Sequence, residues 1–257
     1  MIQRSHRSTM GVLAFALIVA ALQSSPSANH SWGGYHWART ANPFTVKLGD
    51  DVSTAWDQYF NQASTDWSQS DVLDTTIVAG HANTRNCRPT SGQDEICNAT
   101  YGNTGWLGVA QIWVSGGHIT QGTVKLNDTY FNTSTYNDPG WKQMVVCQEV
   151  GHTFGLDHQD TNFTNTNLGT CMDYTSNPYG PPSNLQPNKH DYDELDIIYA
   201  HLDSSTTIKS SPGASGANLD SPSSWGQLMK TTHGGRTQVF ERDFGNGERV
   251  VTFVIWA

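Results

Sequence analysis

Hydrophobic and polar positions alternate or recur with helical spacing in a series of short blocks. Phe44-Thr45-Val46-Lys47-Leu48 alternates and predicts a first strand. Asp50 or Asp51 stands where a helix cap belongs, ahead of Val52, Trp56, Tyr59, Phe60, Ala63 and Trp67 on one helical face. Val72 to Val78 predicts a second strand, and Gly80 to Asn103 reads as a long loop. Two further strands, Val109 to Val114 and Ile119 to Leu126, are joined through Ser115-Gly116-Gly117. Asp138-Pro139 supplies a cap and a first-turn proline for a helix running through Trp141, Met144, Val145 and Val146 to His152. Asn188 caps a last helix whose inner face is Tyr192, Leu195, Ile198, Tyr199 and Leu202. Beyond a stretch rich in Ser, Gly and Pro, Thr237 to Phe244 and Glu248 to Trp256 flank Gly245-Asn246-Gly247, a hairpin signal. Val250 to Trp256 is apolar on both faces and must dock. Packing back on the preceding domain is expected, with a small binding or assembly module as the alternative.

Composition adds a compartment. Only 14% of residues are charged, while Ser, Thr, Asn and Gly abound, as suits an extracellular protein. Residues 1–28 read as a secretory signal, with Arg4 and Arg7 before an apolar run from Met10 to Leu22 that is short for a membrane span. Removing it takes the formal charge from -9 to about -11, and no basic patch offers a surface to nucleic acid or anionic membrane. Four cysteines in an exported chain suggest two disulfides, with three connectivities open. Cys87 and Cys97 bracket a polar loop and are expected to pair locally, which leaves Cys147 and Cys171. His81 and His118 read as surface loop histidines rather than ligands.

The candidate chemistry lies in Gln148-Glu149-Val150-Gly151-His152-Thr153-Phe154-Gly155-Leu156-Asp157-His158. Positions 148 and 152 share a helical face, so both side chains can reach one ion, with Glu149 one step round. Gly155 is a natural left-handed stop, after which the chain can return His158 to the same point. From Glu149 onward the segment resembles the active-site helix of the metzincin clan of zinc endopeptidases, whose signature is His-Glu-x-x-His-x-x-Gly-x-x-His. Cys171-Met172-Asp173-Tyr174 is similar to the clan's methionine turn, with Tyr174 placed as in its astacin-like and serralysin-like members. The departure is Gln148, which stands where the clan has its first histidine.

The resemblance implies an α+β metzincin-like zincin domain, a mixed sheet with an active-site helix and a C-terminal helix. It implies one Zn2+ held by Gln148, His152 and His158, Glu149 as general base, Met172 beneath the metal and Tyr174 stabilising the oxyanion. An amide oxygen is a poorer zinc donor than imidazole, so weaker metal binding is expected. The strand bordering the cleft, near Gly108 to Val114 or Thr123 to Leu126, would pair with extended substrate. Calcium is common in the clan, but no calcium-loop motif stands here. The expected organisation is a signal at 1–28, a catalytic domain at 29–203, a linker at 204–224 and a C-terminal hairpin at 225–257. The expected function is a secreted, monomeric endopeptidase acting on protein or peptide, with no nucleic-acid or membrane partner. The alternative is an inactive protein of the same fold that binds peptide or glycan in the cleft.

Overall fold

The computed structural model describes residues 29–81, 83–209 and 219–257; the signal expected at 1–28 and part of the expected linker lie outside them. The strands are β1 (His36–Trp37), β2 (Phe44–Asp51), β3 (Leu73–Ala79), β4 (Asp94–Ala99), β5 (Trp106–Ser115), β6 (His118–Asn127), β7 (Gln227–Thr231), β8 (Thr237–Gly245) and β9 (Glu248–Trp256). The α-helices are α1 (Asp57–Trp67), the single turn α2 (Asp128–Phe131), α3 (Pro139–Thr153) and α4 (Lys189–Ile198). Among the described residues no helix is long and apolar enough to cross a membrane.

One mixed sheet of nine strands organises this α+β fold, in the order β3-β2-β4-β6-β5-β9-β8-β7, with β1 pairing beside the start of β6. The pairs β2–β3, β2–β4 and β4–β6 are parallel. From β5 onward each neighbour is antiparallel. Because side chains alternate along a strand, β5 feeds two cores. Ala110, Ile112 and Val114 join Val46, Leu48, Ile96 and Val124 against Trp67, Val145, Val146 and Phe154 of the helical layer. Val109 and Trp113 face the other way, against Leu219, Trp225, Val250 and Val254.

The sequence reading is corrected in several places. Asp50 and Asp51 do not cap α1, because β2 continues through them to pair with Ala79 and Cys97; Trp56 precedes the helix with no side-chain cap. The supposed loop from 80 to 103 contains β4, which is buried between two parallel neighbours yet begins Asp94-Glu95. Leu202 is exposed rather than inward, since α4 ends at Ile198. His118 opens β6 and is not a loop residue. The C-terminal extension has three strands, β7 having gone unpredicted behind its largely exposed residues. Val250 to Trp256 docks on the main sheet, as its two apolar faces required.

Candidate active site

Helix α3 is set at its start by Asp138, whose carboxylate accepts from the Gly140 amide at 2.8 Å, with Pro139 in the first turn. Its C-terminal half is buried throughout. The Trp67 indole donates to the Cys147 carbonyl at 3.0 Å, and Cys147 is disulfide-bonded to Cys171. That bond joins the helix to the turn carrying Met172 and Tyr174. Cys87 and Cys97 form the second disulfide.

Past the helix, Gly155 has φ +94°, and a Cβ there would lie 2.1 Å from the Tyr35 carbonyl oxygen. Only glycine fits that left-handed, crowded position, and through it the chain doubles back to His158. The return is held where the Gln159 amide donates to the Met172 carbonyl at 2.7 Å and the Tyr174 amide to the Asp160 carbonyl at 3.1 Å. Met172 is fully buried beneath α3, its sulfur 2.7 Å from where a Cβ on Gly151 would sit.

His152 and His158 meet with their Nε2 atoms 3.2 Å apart. Each ring has its other nitrogen engaged: His152 Nδ1 lies 2.8 Å from the Leu156 carbonyl, and His158 Nδ1 lies 3.3 Å from Asp157 Oδ1. Both contacts require the proton on Nδ1, which leaves two Nε2 lone pairs facing each other. Two imidazole nitrogens on one tetrahedral zinc, each about 2.05 Å from it, stand roughly 3.3 Å apart. The observed spacing therefore suits a shared cation and is unfavourable without one. The Asp157 contact is of the kind that orients metal-ligating histidines.

Electrostatics agree with the geometry. Burial, then the neighbouring ring of His158, pushes His152 well below the ordinary histidine range; burial lowers His158 too, against the pull of Asp157. Both rings are therefore neutral donors at neutral pH. Burial would raise the Asp157 carboxyl, but contacts with His158 and Lys230 outweigh it and hold the group well below its usual range.

Gln148 and Glu149 are completely buried; the Gln148 amide has no hydrogen-bond partner among the described residues, and the Glu149 carboxyl meets only the backbone amide of Ala110. Glu149 points at β5, where a Cβ on Gly108 would come within 2.5 Å of its Oε1. Burial drives its carboxyl well above the ordinary range, opposed by the Ala110 backbone amide. Tyr174 lies edge-on to His158 with ring centroids 5.7 Å apart, and its hydroxyl donates to the Arg236 carbonyl.

The C-terminal strands cover all of this. Strand β9 pairs antiparallel along β5, with Phe253 opposite Ala110. The Phe253 ring lies flat on His152, centroids 4.2 Å apart and planes 5° apart. Two residues on, Ile255 enters a small cavity shared with Leu107, Trp141, Met144 and Tyr174. Lys230 of β7 reaches Asp157 at 2.6 Å. Sequence reasoning missed Phe253, Arg236 and Lys230 as neighbours of this site. Its only signal was the two-faced apolarity of β9, which says that the strand docks and not where.

No protein-family model and no curated protein matches this chain. Among solved structures it is similar to high choriolytic enzyme 1, a hatching enzyme zinc-protease from Oryzias latipes (medaka fish), with 11% identity, 64% of this chain and 94% of that one covered, and a TM-score of 0.35. Two structures of myroilysin are similar at 12% and 14% identity, covering 66% and 69% of this chain and 82% and 89% of theirs, with TM-scores of 0.34 and 0.33. A likeness at that level does not by itself assign the chain to a family.

Proposed function

We propose that the chain is a secreted zinc-dependent endopeptidase, closed in this form by its own C-terminal strand. The observation that carries the reading is the pair of neutral Nε2 lone pairs 3.2 Å apart, on a helix that also buries the Glu149 carboxyl with no charged partner beside it. His152 and His158 would hold the ion, with the Gln148 amide oxygen as third donor and Met172 beneath. Zinc bound there would supply Lewis acidity, acidifying water and polarising a carbonyl.

The chain's own residues do the rest. Glu149, one helical step from the ligands and sealed from solvent, accepts the proton of the attacking water and returns it to the leaving amine. Tyr174, released from the Arg236 carbonyl, donates its hydroxyl to the developing oxyanion. β9 takes the main-chain hydrogen bonds of β5 here, and an extended peptide would compete for the same bonds. Phe253 lies where a reacting segment would have to sit, and the intact closed chain is expected to turn over slowly.

Two observations favour the alternative, an inactive binding protein: the cleft is filled, and its first ligand position carries glutamine. The test is metal content of the purified chain dialysed against trace zinc, followed by casein turnover. Zinc lost in His152→Ala, with turnover lost in Glu149→Ala at unchanged zinc, supports the peptidase. Peptide binding without turnover, at saturating zinc and with Phe253→Ala opening the cleft, selects the alternative.

A further inference from the structure

Away from the candidate active site, three histidine side chains converge on one carboxylate oxygen, that of Asp203. Asp203 Oδ1 lies 3.5 Å from His36 Nε2, 3.1 Å from His118 Nε2 and 3.6 Å from His201 Nε2. The donor atoms of His36, His201 and Asp203 all lie within 4.8 Å of one another. His36 sits in β1, His118 opens β6, and His201 and Asp203 follow α4. The parallel register of β1 on β6 puts His36 directly beside His118.

We infer that His36, His201 and Asp203, with His118 as a fourth donor, form a binding site for a zinc-class divalent ion that pins the N-terminal strand to the end of α4. The argument is one of lone pairs. His36 Nδ1 is 2.9 Å from the Gly34 carbonyl and so carries the proton. In the neutral ring its Nε2, buried and without a hydrogen-bond partner among the described residues, then directs a lone pair at a carboxylate oxygen 3.5 Å away. Two acceptors face each other, an arrangement a cation relieves. Asp203 is built to present that oxygen. Its other oxygen, Oδ2, accepts from Arg39 Nη1 at 2.8 Å and from the Arg39 amide at 3.1 Å, while Arg39 Nη2 donates to the His201 carbonyl. Arg39 is itself almost wholly buried. One arginine thus fixes both the carboxylate and the backbone of a neighbouring donor, the support expected around a metal.

Donor chemistry narrows the ion. Imidazole nitrogens with a single carboxylate suit zinc or its transition-metal neighbours, whereas calcium and magnesium require oxygen-rich shells. The rings of His118 and His201 are partly open to solvent, which gives an ion a route in. Since the site lies on the fold rather than in the cleft, its role is to stabilise the fold. A bound ion would raise Tm by roughly 5–10 °C when zinc exceeds its Kd a hundredfold.

Metal stoichiometry of the full chain tests this independently of any peptidase activity. After dialysis against micromolar zinc, two equivalents are expected by mass spectrometry, one lost in His201→Ala and the other in His152→Ala. His201 is more than half exposed, so its replacement leaves the fold intact. In the His152→Ala, His158→Ala double variant one equivalent should remain. Cobalt placed there should give ligand-field bands that vanish on adding His201→Ala. Should that double variant fail to fold, the comparison of wild type with His201→Ala decides alone. A folded wild type whose zinc is unchanged by His201→Ala and by His36→Gln overturns the inference, whatever happens at His152. The cluster would then be three histidines packed around the Asp203 carboxylate with no ion between them.

Discussion

The two imidazole clusters of this molecule are made of the same parts in opposite settings. His152 and His158 come from one helix and the turn that follows it, lie under Phe253, and are shut off from solvent. His36, His118 and His201 come from three separate parts of the chain and meet at the rim, where His201 is 57% exposed in its side chain. In the first, the Glu149 carboxyl, raised by burial and met only by the Ala110 amide, follows directly on Gln148 and is proposed to move a proton rather than to hold an ion. In the second, the carboxyl is itself a donor, pinned by Arg39. A site that does chemistry keeps an acid or base that is not itself a ligand; a site that only holds the fold together spends every group on holding.

Legibility in the sequence follows the same division. The first cluster could be read because its residues fall at helical spacing and the helix carries its own cap, Asp138, and its own stop, Gly155. The second could not, because the register of β1 on β6 and the path beyond α4 are tertiary facts, and His118 was misread as a loop residue. The same reason hid β4. Its Asp94 and Glu95 look like loop residues until the Thr153 hydroxyl and the Gln93 amide are seen to bind their carboxylates. Strands with apolar periodicity, such as β2 and β6, were visible because burial alone dictates their pattern. The covering of the cleft by β9 was half visible: a strand apolar on both faces needs two partners, and local pattern does not name them.

The largest effect that would separate the clusters is at Glu149. Glu149→Gln should lower peptide turnover by about 10²–10⁴-fold with zinc content unchanged. No substitution in the rim cluster should change turnover beyond its effect on stability. Turnover surviving Glu149→Gln would remove the distinction between an active and a structural site.

Next is the cover. Phe253→Ala deletes a fully buried ring and should cost about 3–5 kcal/mol in urea unfolding. It should nevertheless raise turnover per folded molecule and speed zinc loss to a chelator, because the face of His152 becomes open. Slower or unchanged zinc loss would mean that the strand does not guard the ion.

A smaller effect is expected at the departing ligand. Gln148→His should tighten zinc at the helix about tenfold or more, roughly 1.4 kcal/mol, and leave the second equivalent as it was. A competitive titration with a zinc chelator reads both. An unchanged affinity would mean that residue 148 does not contribute a donor.

A last effect, on stability and not on zinc or turnover, concerns Asp94, which joins the sheet to α3. It is fully buried, one oxygen accepts from the Thr153 hydroxyl at 2.7 Å, and the other has no partner. Burial raises its carboxyl well above the ordinary range, opposed by that hydrogen bond and reinforced by Glu95. Below about pH 3.9 the folded and unfolded chains both hold this proton, and the group contributes no pH dependence. Above that, the unfolded chain releases the proton while the folded chain keeps it. Stability from this group therefore falls as pH rises, at up to about 1.4 kcal/mol per unit until the folded pKa is reached. Asp94→Asn keeps the shape and the acceptor for Thr153 and cannot ionise. It should be within about 1 kcal/mol of wild type at pH 4 and gain on it as the pH rises, until the folded chain also releases the proton. Parallel urea midpoints at pH 4, 6 and 8 measure the difference, in which most other titrating groups cancel. A difference that stays flat would mean that Asp94 ionises in the folded chain as readily as in the unfolded one. Water would then have to reach the junction of β4 and α3, and the seal over the active-site helix would be open from that side.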